Sequence, residues 1–122
     1  MDWNLSDGRP IWVQLHEQLT LRIATGAYPT GSRMPTVREL AAEAGVNPNT
    51  MQRALAQLED DGLVITNRTA GRTVTEDTAV LDRTRRRLAG ERIETYLQSM
   101  ALLGFSKKEA VELLESWEEK KV

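Results

Sequence analysis

Asn47, Asn49, Thr50, Gln52 and Arg53 fall within seven residues that contain no acid. Their side chains are donors and acceptors of the kind that contact base edges and phosphates. Met51, Ala54, Leu55 and Leu58 recur at helical spacing, which turns the polar set to the opposite face of one short helix. A helix reading base edges would present such a face. Competing chemistry is sparse. There is no Ser, His and acid arrangement, no glycine-rich phosphate loop and no metal-ligand spacing, and the absence of cysteine excludes disulfides and thiolate metal sites. The single histidine, His16, lies one turn from Trp12 on a helix face, where packing or hydrogen bonding is the expected role. No catalytic residue, metal or cofactor is expected, and the chain does not read as an enzyme.

The elements that must position this face are punctuated at every boundary. Thr36 and Glu39 form a capping box that satisfies two amides at the start of a first helix. Gly45 supplies its left-handed end; Asn47 caps the next helix, with Pro48 at its first position. Val37, Leu40, Ala41 and Ala44, then Val46 and the stripe above, give the pair a shared apolar side, with small Ala41 and Gly45 where the helices cross. Residues 36 to 58 thus read as a helix-turn-helix. An ordinary helical hairpin in a small core is the alternative.

The 122 residues allow one domain, or a small domain with an appendage. No apolar run reaches membrane-spanning length and no leader pattern precedes the first helix, so a soluble cytoplasmic protein without a membrane partner is expected. Formal net charge is −2, unusual for a DNA binder. What matters is the docking face, because a few cations displace counterions from phosphate. The acids Glu59, Asp60 and Asp61 lie about 15 Å along the helix from Asn49, at about 1.5 Å per residue. Salt screens charges over about 8–10 Å, which weakens their effect further.

Upstream, Pro10 to Thr25 reads as a helix with Ile11, Trp12, Leu15, Leu19 and Ile23 as its stripe, preceded by an extended residue 1–8 segment docking Trp3 and Leu5. Ser32 to Pro35 is long enough only for an edge strand. Downstream, Leu63–Thr66 and Arg72–Thr75 read as two strands around a turn at Asn67–Gly71. A hairpin directly after the second helix is a wing. Arg68 and Arg72 flank its tip at Thr69, Ala70 and Gly71, where a small residue admits a phosphate or groove edge. A solvated hairpin with incidental arginines is the alternative.

The collinear runs Pro10–Leu15, Gly31–Ala41, Val46–Ala54 and Leu58–Val64 resemble the winged helix-turn-helix of the GntR family of bacterial transcription regulators over about residues 9 to 75. The Asn47-Pro48-Asn49-Thr50 start and the short tail are most similar to its YtrA subfamily. The resemblance implies that Arg38, preceded by Thr36 in the small hydroxyl position, reaches a base edge or phosphate, and that Asn47, Pro48, Asn49, Thr50 and Gln52 enter the major groove. Asn49 and Gln52 then suit adenine, Arg38 suits guanine, and Thr50 or Pro48 suits a thymine methyl, with Arg53 on phosphate. Arg68, Thr69, Gly71 and Arg72 would make the wing contacts. Many family members carry arginine where Pro48 and Gln52 stand, so a borrowed operator sequence does not transfer. The usual wing tip, Gly-x-Gly-Thr-Phe, is also departed from: Thr69 to Thr73 keeps one glycine and lacks the phenylalanine.

The fold class expected is mainly α with a β-hairpin wing: a winged helix-turn-helix over residues 1–76 and a two-helix dimerisation tail over 77–122. Ala79 to about Leu103 reads as one long helix ended by Gly104, and a capping box from Ser106 to Glu109 starts the last one. Ile93, Leu97, Met100 and Ala101 on the first, and Ala110, Val111, Leu113, Leu114 and Trp117 on the second, form apolar faces too large for two helices to enclose, with Ile93, Leu97, Met100, Ala101, Val111, Leu114 and Trp117 expected at the contact. A homodimer completes them. Glu115, Glu118 and Glu119 make an exposed acidic face, and Arg83 to Arg92 is either a solvated face or a phosphate contact.

The partners expected are therefore a pseudopalindromic double-stranded DNA operator and a second copy of the chain. An unidentified small-molecule effector has room between tail and winged domain or at the dimer seam. The subfamily resemblance implies a repressor, often of transporter genes. The second class kept open is a winged-helix protein-interaction module without DNA binding, motivated by the acidic total.

Overall fold

The computed structural model describes residues 2–118, so Glu119 and the last three residues lie outside it. Five helices and one hairpin follow in the order α1 (Ile11–Ala24), α2 (Val37–Ala44), α3 (Pro48–Asp60), β1 (Val64–Asn67), β2 (Gly71–Val74), α4 (Thr78–Leu102) and α5 (Lys107–Ser116). This is the mainly helical, winged architecture read from the sequence. The chain divides into two compact units, residues 1–85 and 86–122.

In the first unit, α1, α2 and α3 enclose the core. Met51, Ala54, Leu55 and Leu58 of α3 are all fully buried, as are Leu15 and Leu19 of α1 and Leu40 of α2. Trp3 is buried and Leu5 half-buried, held by Gln14: its Oε1 accepts from the Ser6 amide at 2.8 Å, and its Nε2 donates to the carbonyls of Ser6 and Arg9 at 2.7 and 2.8 Å. Three such bonds tie down a segment with no regular structure of its own. Val80 and Leu81, in the first turns of α4, pack against the same core.

The caps form as their residues dictate. Thr36 Oγ1 accepts from the Glu39 amide at 3.1 Å while the Glu39 carboxylate accepts from the Thr36 amide, and Gly45 ends α2 at φ 70°. Gly62 turns at φ 78° after α3, letting the Leu63 amide donate back to the Leu58 carbonyl at 3.0 Å. That bond explains a small departure. The β-rich runs predict strands over Leu63–Thr66 and Arg72–Thr75, but each sits one residue nearer the tip, because the Leu63 amide closes α3 instead of opening the ladder. Val64 pairs with Val74 and Asn67 with Gly71.

Ser32 to Pro35 forms a single bridge, Arg33 opposite Thr73, rather than a full edge strand. The Met34 amide donates to the Arg72 carbonyl at 2.8 Å and the Val74 amide to the Ser32 carbonyl at 2.9 Å, and Pro35 has no amide to continue. Period-two alternation then buries Met34 and leaves the Arg33 side chain outside.

His16 is hydrogen-bonded, as expected of it: its Nε2 lies 2.6 Å from Asp61 Oδ2, joining α1 to the end of α3. In the second unit, α4 ends in a reversal at Gly104, φ 90°, with the Phe105 amide donating to the Met100 carbonyl at 3.0 Å. The Ser106–Glu109 capping box starts α5, and Tyr96 Oη donates to the Ala110 carbonyl at 2.6 Å. Among the described residues no helix is long and apolar enough to cross a membrane.

Leu55 is fully buried on the core side of α3, so its truncation leaves a cavity that the surrounding helices cannot fill without moving. Leu55→Ala is expected to destabilise the first unit by about 2–5 kcal/mol, measured as a lowered urea midpoint with unchanged slope.

Candidate nucleic-acid interface

The N-terminal half of α3 begins with a side-chain cap. Asn47 Oδ1 accepts from the Asn49 amide at 2.8 Å, which leaves the Asn47 side-chain nitrogen free to donate elsewhere. Pro48 follows at the first helical position. Asn47, Pro48, Asn49, Gln52 and Arg53 are exposed or nearly so and Thr50 is half-buried, so the structure brings the predicted readers onto one surface. The helix dipole adds partial positive charge at this end, where no acid stands in the first turn.

Arg53 is not a free arm. Its guanidinium lies over the Trp12 ring, 4.2 Å from the centroid, a contact worth about 0.5–1 kcal/mol at an exposed site. The sequence placed Trp12 in the α1 core stripe; the structure leaves it half-buried, one face given to Arg53. Nothing local marks that pairing, because the two residues meet only through helix packing.

Thr36 and Arg38 stand at the start of α2, with the Thr36 hydroxyl oxygen engaged in its cap. Across a cleft of ≈ 410 Å³ lie Gly71 and Arg72 of β2, with Arg33, Met34, Pro35 and Val37 completing its walls. Arg68 and Thr69 are exposed at the wing tip, where Asn67 Oδ1 accepts from both the amide and the hydroxyl of Thr69 at 3.0 Å. Arg72 is half-buried in β2 just behind the wing tip: its Nε donates to Glu59 Oε1 at 2.6 Å, and Thr66 Oγ1 donates to the same oxygen at 2.6 Å. The hydrogen bonds from Thr66 and then Arg72 hold the Glu59 carboxyl below its ordinary value.

Two of the acids that look unfavourable for DNA are thereby occupied. Glu59 takes Arg72 and Thr66; Asp61 takes His16 and, through Oδ1 at 3.0 Å, Gln57. Among the described residues no group of His, Cys, Asp and Glu could hold a metal ion.

On the second unit, Ile93, Ala101, Val111, Leu114 and Trp117 are exposed, and Leu97 and Met100 are less so. Met100, Leu114 and Trp117 line one apolar cleft of ≈ 340 Å³ with Tyr96 and Leu113. Ile93, Leu97, Ala101 and Val111 do not line it. Leu113 lies on the apolar face read for the last helix but outside the residues expected at the dimer contact, and Tyr96 belongs to neither set.

A reading helix with an acid-free start, an arginine in the first turn of the preceding helix and a β-hairpin wing define a winged-helix DNA-binding module. The GntR family of bacterial regulatory proteins matches residues 13–74. An uncharacterized HTH-type transcriptional regulator of Bacillus subtilis, YhcF, is 32% identical over 98% of both chains. The HTH-type transcriptional repressor YtrA of the same organism is 35% identical over 56% of this chain and 52% of its own length. Among solved structures, a GntR family transcriptional regulator from Listeria monocytogenes superimposes with a TM-score of 0.82 at 32% identity, covering 93% of this chain and all of that one. AraR(DBD), solved in complex with operator ORX1, gives a TM-score of 0.52 at 26% identity over 62% of this chain and 92% of that one. The chain belongs to the GntR family and is a DNA-binding transcriptional regulator, not an enzyme.

Because the folded-state pKa of Glu59 lies below its ordinary 4.5, its contribution is present above about pH 4.5 and is lost as pH falls through the depressed value. Glu59→Gln should therefore lower stability at pH 7 and loosen the wing, read as faster amide exchange in β1 and β2. The gap to wild type should close well below the ordinary carboxylate range; a gap unchanged by acid would show that the carboxylate charge is not what holds the wing.

Proposed function

We propose that the protein acts in the cytoplasm as a homodimeric, sequence-specific repressor that binds a pseudopalindromic operator, with transporter genes as its targets. Residues 1–76 are its DNA-binding part and 77–122 its dimerising tail. The observation that carries this reading is the acid-free start of α3, where Asn47, Asn49 and Gln52 stand beside Arg53 on the outer face of the helix. In this role Thr36 and Arg38 contact DNA from α2. Asn47, Pro48, Asn49, Thr50 and Gln52 lie in the major groove, Arg53 holds phosphate, and Arg68, Thr69, Gly71 and Arg72 serve the wing. Asn49 and Gln52 each have the donor–acceptor pair that matches adenine.

The repressor assignment draws support from YtrA, itself described as a repressor. Dimerisation draws support from burial. Ala110 is the one buried residue of α5, while Ile93, Leu114 and Trp117 are 56%, 61% and 70% exposed. Apolar surface of that extent on two helices is stabilised by a second copy, giving a four-helix arrangement about a twofold axis. Two reading helices then address half-sites about 34–36 Å apart or a multiple of that. An effector that shifts this separation would act through rigid-body movement.

Selection of bound sequences from a random duplex pool should return a twofold-related motif whose half-sites contain adenines read by Asn49 and Gln52. Arg38→Ala with Gln52→Ala should weaken operator binding, by about 1–3 kcal/mol for the base pair that Gln52 no longer reads and with a shallower salt dependence for the lost Arg38 contact. Binding indifferent to both changes and to salt would instead favour a protein-interaction module. Leu97→Glu with Trp117→Glu should sediment as a monomer with weakened operator binding; a variant that stays dimeric would remove the tail from the interface.

A further inference from the structure

Arg33 belongs to no helix and lies outside the motif that reads as a helix-turn-helix, yet the fold fixes its place. Its bridge to Thr73, and the flanking bonds from the Met34 amide to Arg72 and the Val74 amide to Ser32, add it as a third row beside the wing. Alternation sends Met34 into the core and leaves the Arg33 side chain outside. There its Nε would lie 3.8 Å from a β-carbon placed on Gly71, so the guanidinium runs alongside the tip end of the wing, where the chain is stripped of side chain.

We propose that Arg33, Arg38 and Arg72 together hold the phosphodiester backbone of duplex DNA, with Arg33 as a further contact residue that neutralises a phosphate of its own. The inference rests on the DNA-binding reading above. The three arginines line one cleft between the turn before α2, the first turn of α2 and the start of β2 beside the wing tip. Arg72 spends Nε alone on Glu59, so its two Nη groups make no hydrogen bond among the described residues. Arg33 and Arg38 form no ion pair among those residues either. Counting Glu59, the cleft carries a net charge of about +2, which matches two neighbouring phosphates. The Glu76 carboxylate, which lies against Gly31, makes no ion pair with Arg33. The cleft also lies between α2, which packs against α3, and the wing, the two elements that flank α3.

In a chain of net charge −2, each unpaired cation at the interface carries a large share of the electrostatic affinity. The test is duplex binding by Arg33→Gln and Arg33→Lys across a salt series, with both the selected operator and a random duplex. Loss of one phosphate contact lowers the slope of log K against log salt by about 0.9 per protomer, or about eightfold weaker binding at 0.1 M salt. Arg33→Gln should show that loss equally on both duplexes, with an unchanged melting temperature; Arg33→Lys should keep the slope. The proposal is overturned if Arg33→Gln keeps the wild-type slope and affinity, or if its loss is confined to the operator, which would make Arg33 a base reader. Wild-type protein in the same series separates the two levels. If it binds no duplex, the DNA-binding reading falls and this one with it; if it binds and Arg33→Gln binds equally, only the clamp falls.

Discussion

Everything at the interface depends on α3 being used completely on its hidden side. Met51, Ala54, Leu55 and Leu58 have no exposed surface, so the helix can neither roll nor slide without opening the core. A helix of 13 residues has no such stability alone, since short isolated helices are marginal in water. Its rigidity is tertiary. The buried stripe, the Asn47 cap at one end and the Gly62 reversal at the other leave the outer face as a pre-ordered row of side chains, so little ordering is left to be done on contact with a partner.

The acidic total loses its force once the partners are known. Negative charge at a helix C-terminus is opposed by the helix dipole, and α3 carries Glu59, Asp60 and Asp61 there. The fold answers by making two of them structural. Asp61 receives His16 from α1, and Glu59 receives Arg72 and Thr66 from the wing, so α1 and the wing are attached to α3 at the end away from Asn47 and Asn49. Two acids that would otherwise stand free are used to orient α1 and the wing against α3. The opposite end is left with partial positive charge and no carboxylate in its first turn.

The caps, the helix spans and the existence of the hairpin were legible in the sequence because each is decided within about four residues. Thr36 with Glu39, Ser106 with Glu109, Asn47 with Pro48, and the glycines at 45 and 104 specify torsions and short hydrogen bonds that form wherever those residues occur together. The strand bounds slipped by one residue for a reason that is local in origin but tertiary in outcome: the Leu63 amide had two carbonyls to choose between, and closing α3 won.

The sequence by itself determined which side chains could read DNA and placed them on one helical face, since a helical period and a cap suffice for that. Only the tertiary structure decided which charges remain available. Arg72 meets Glu59 across 13 residues, His16 meets Asp61 across 45, and Arg53 comes to rest on Trp12 of a different helix. Such pairings depend on how helices and wing meet, because ion pairs and ring contacts are set by distance in space, to which spacing along the chain is blind. Arg33 shows this most plainly: nothing near it in the sequence marks it, and its place beside Gly71 exists only because the wing folds back against it.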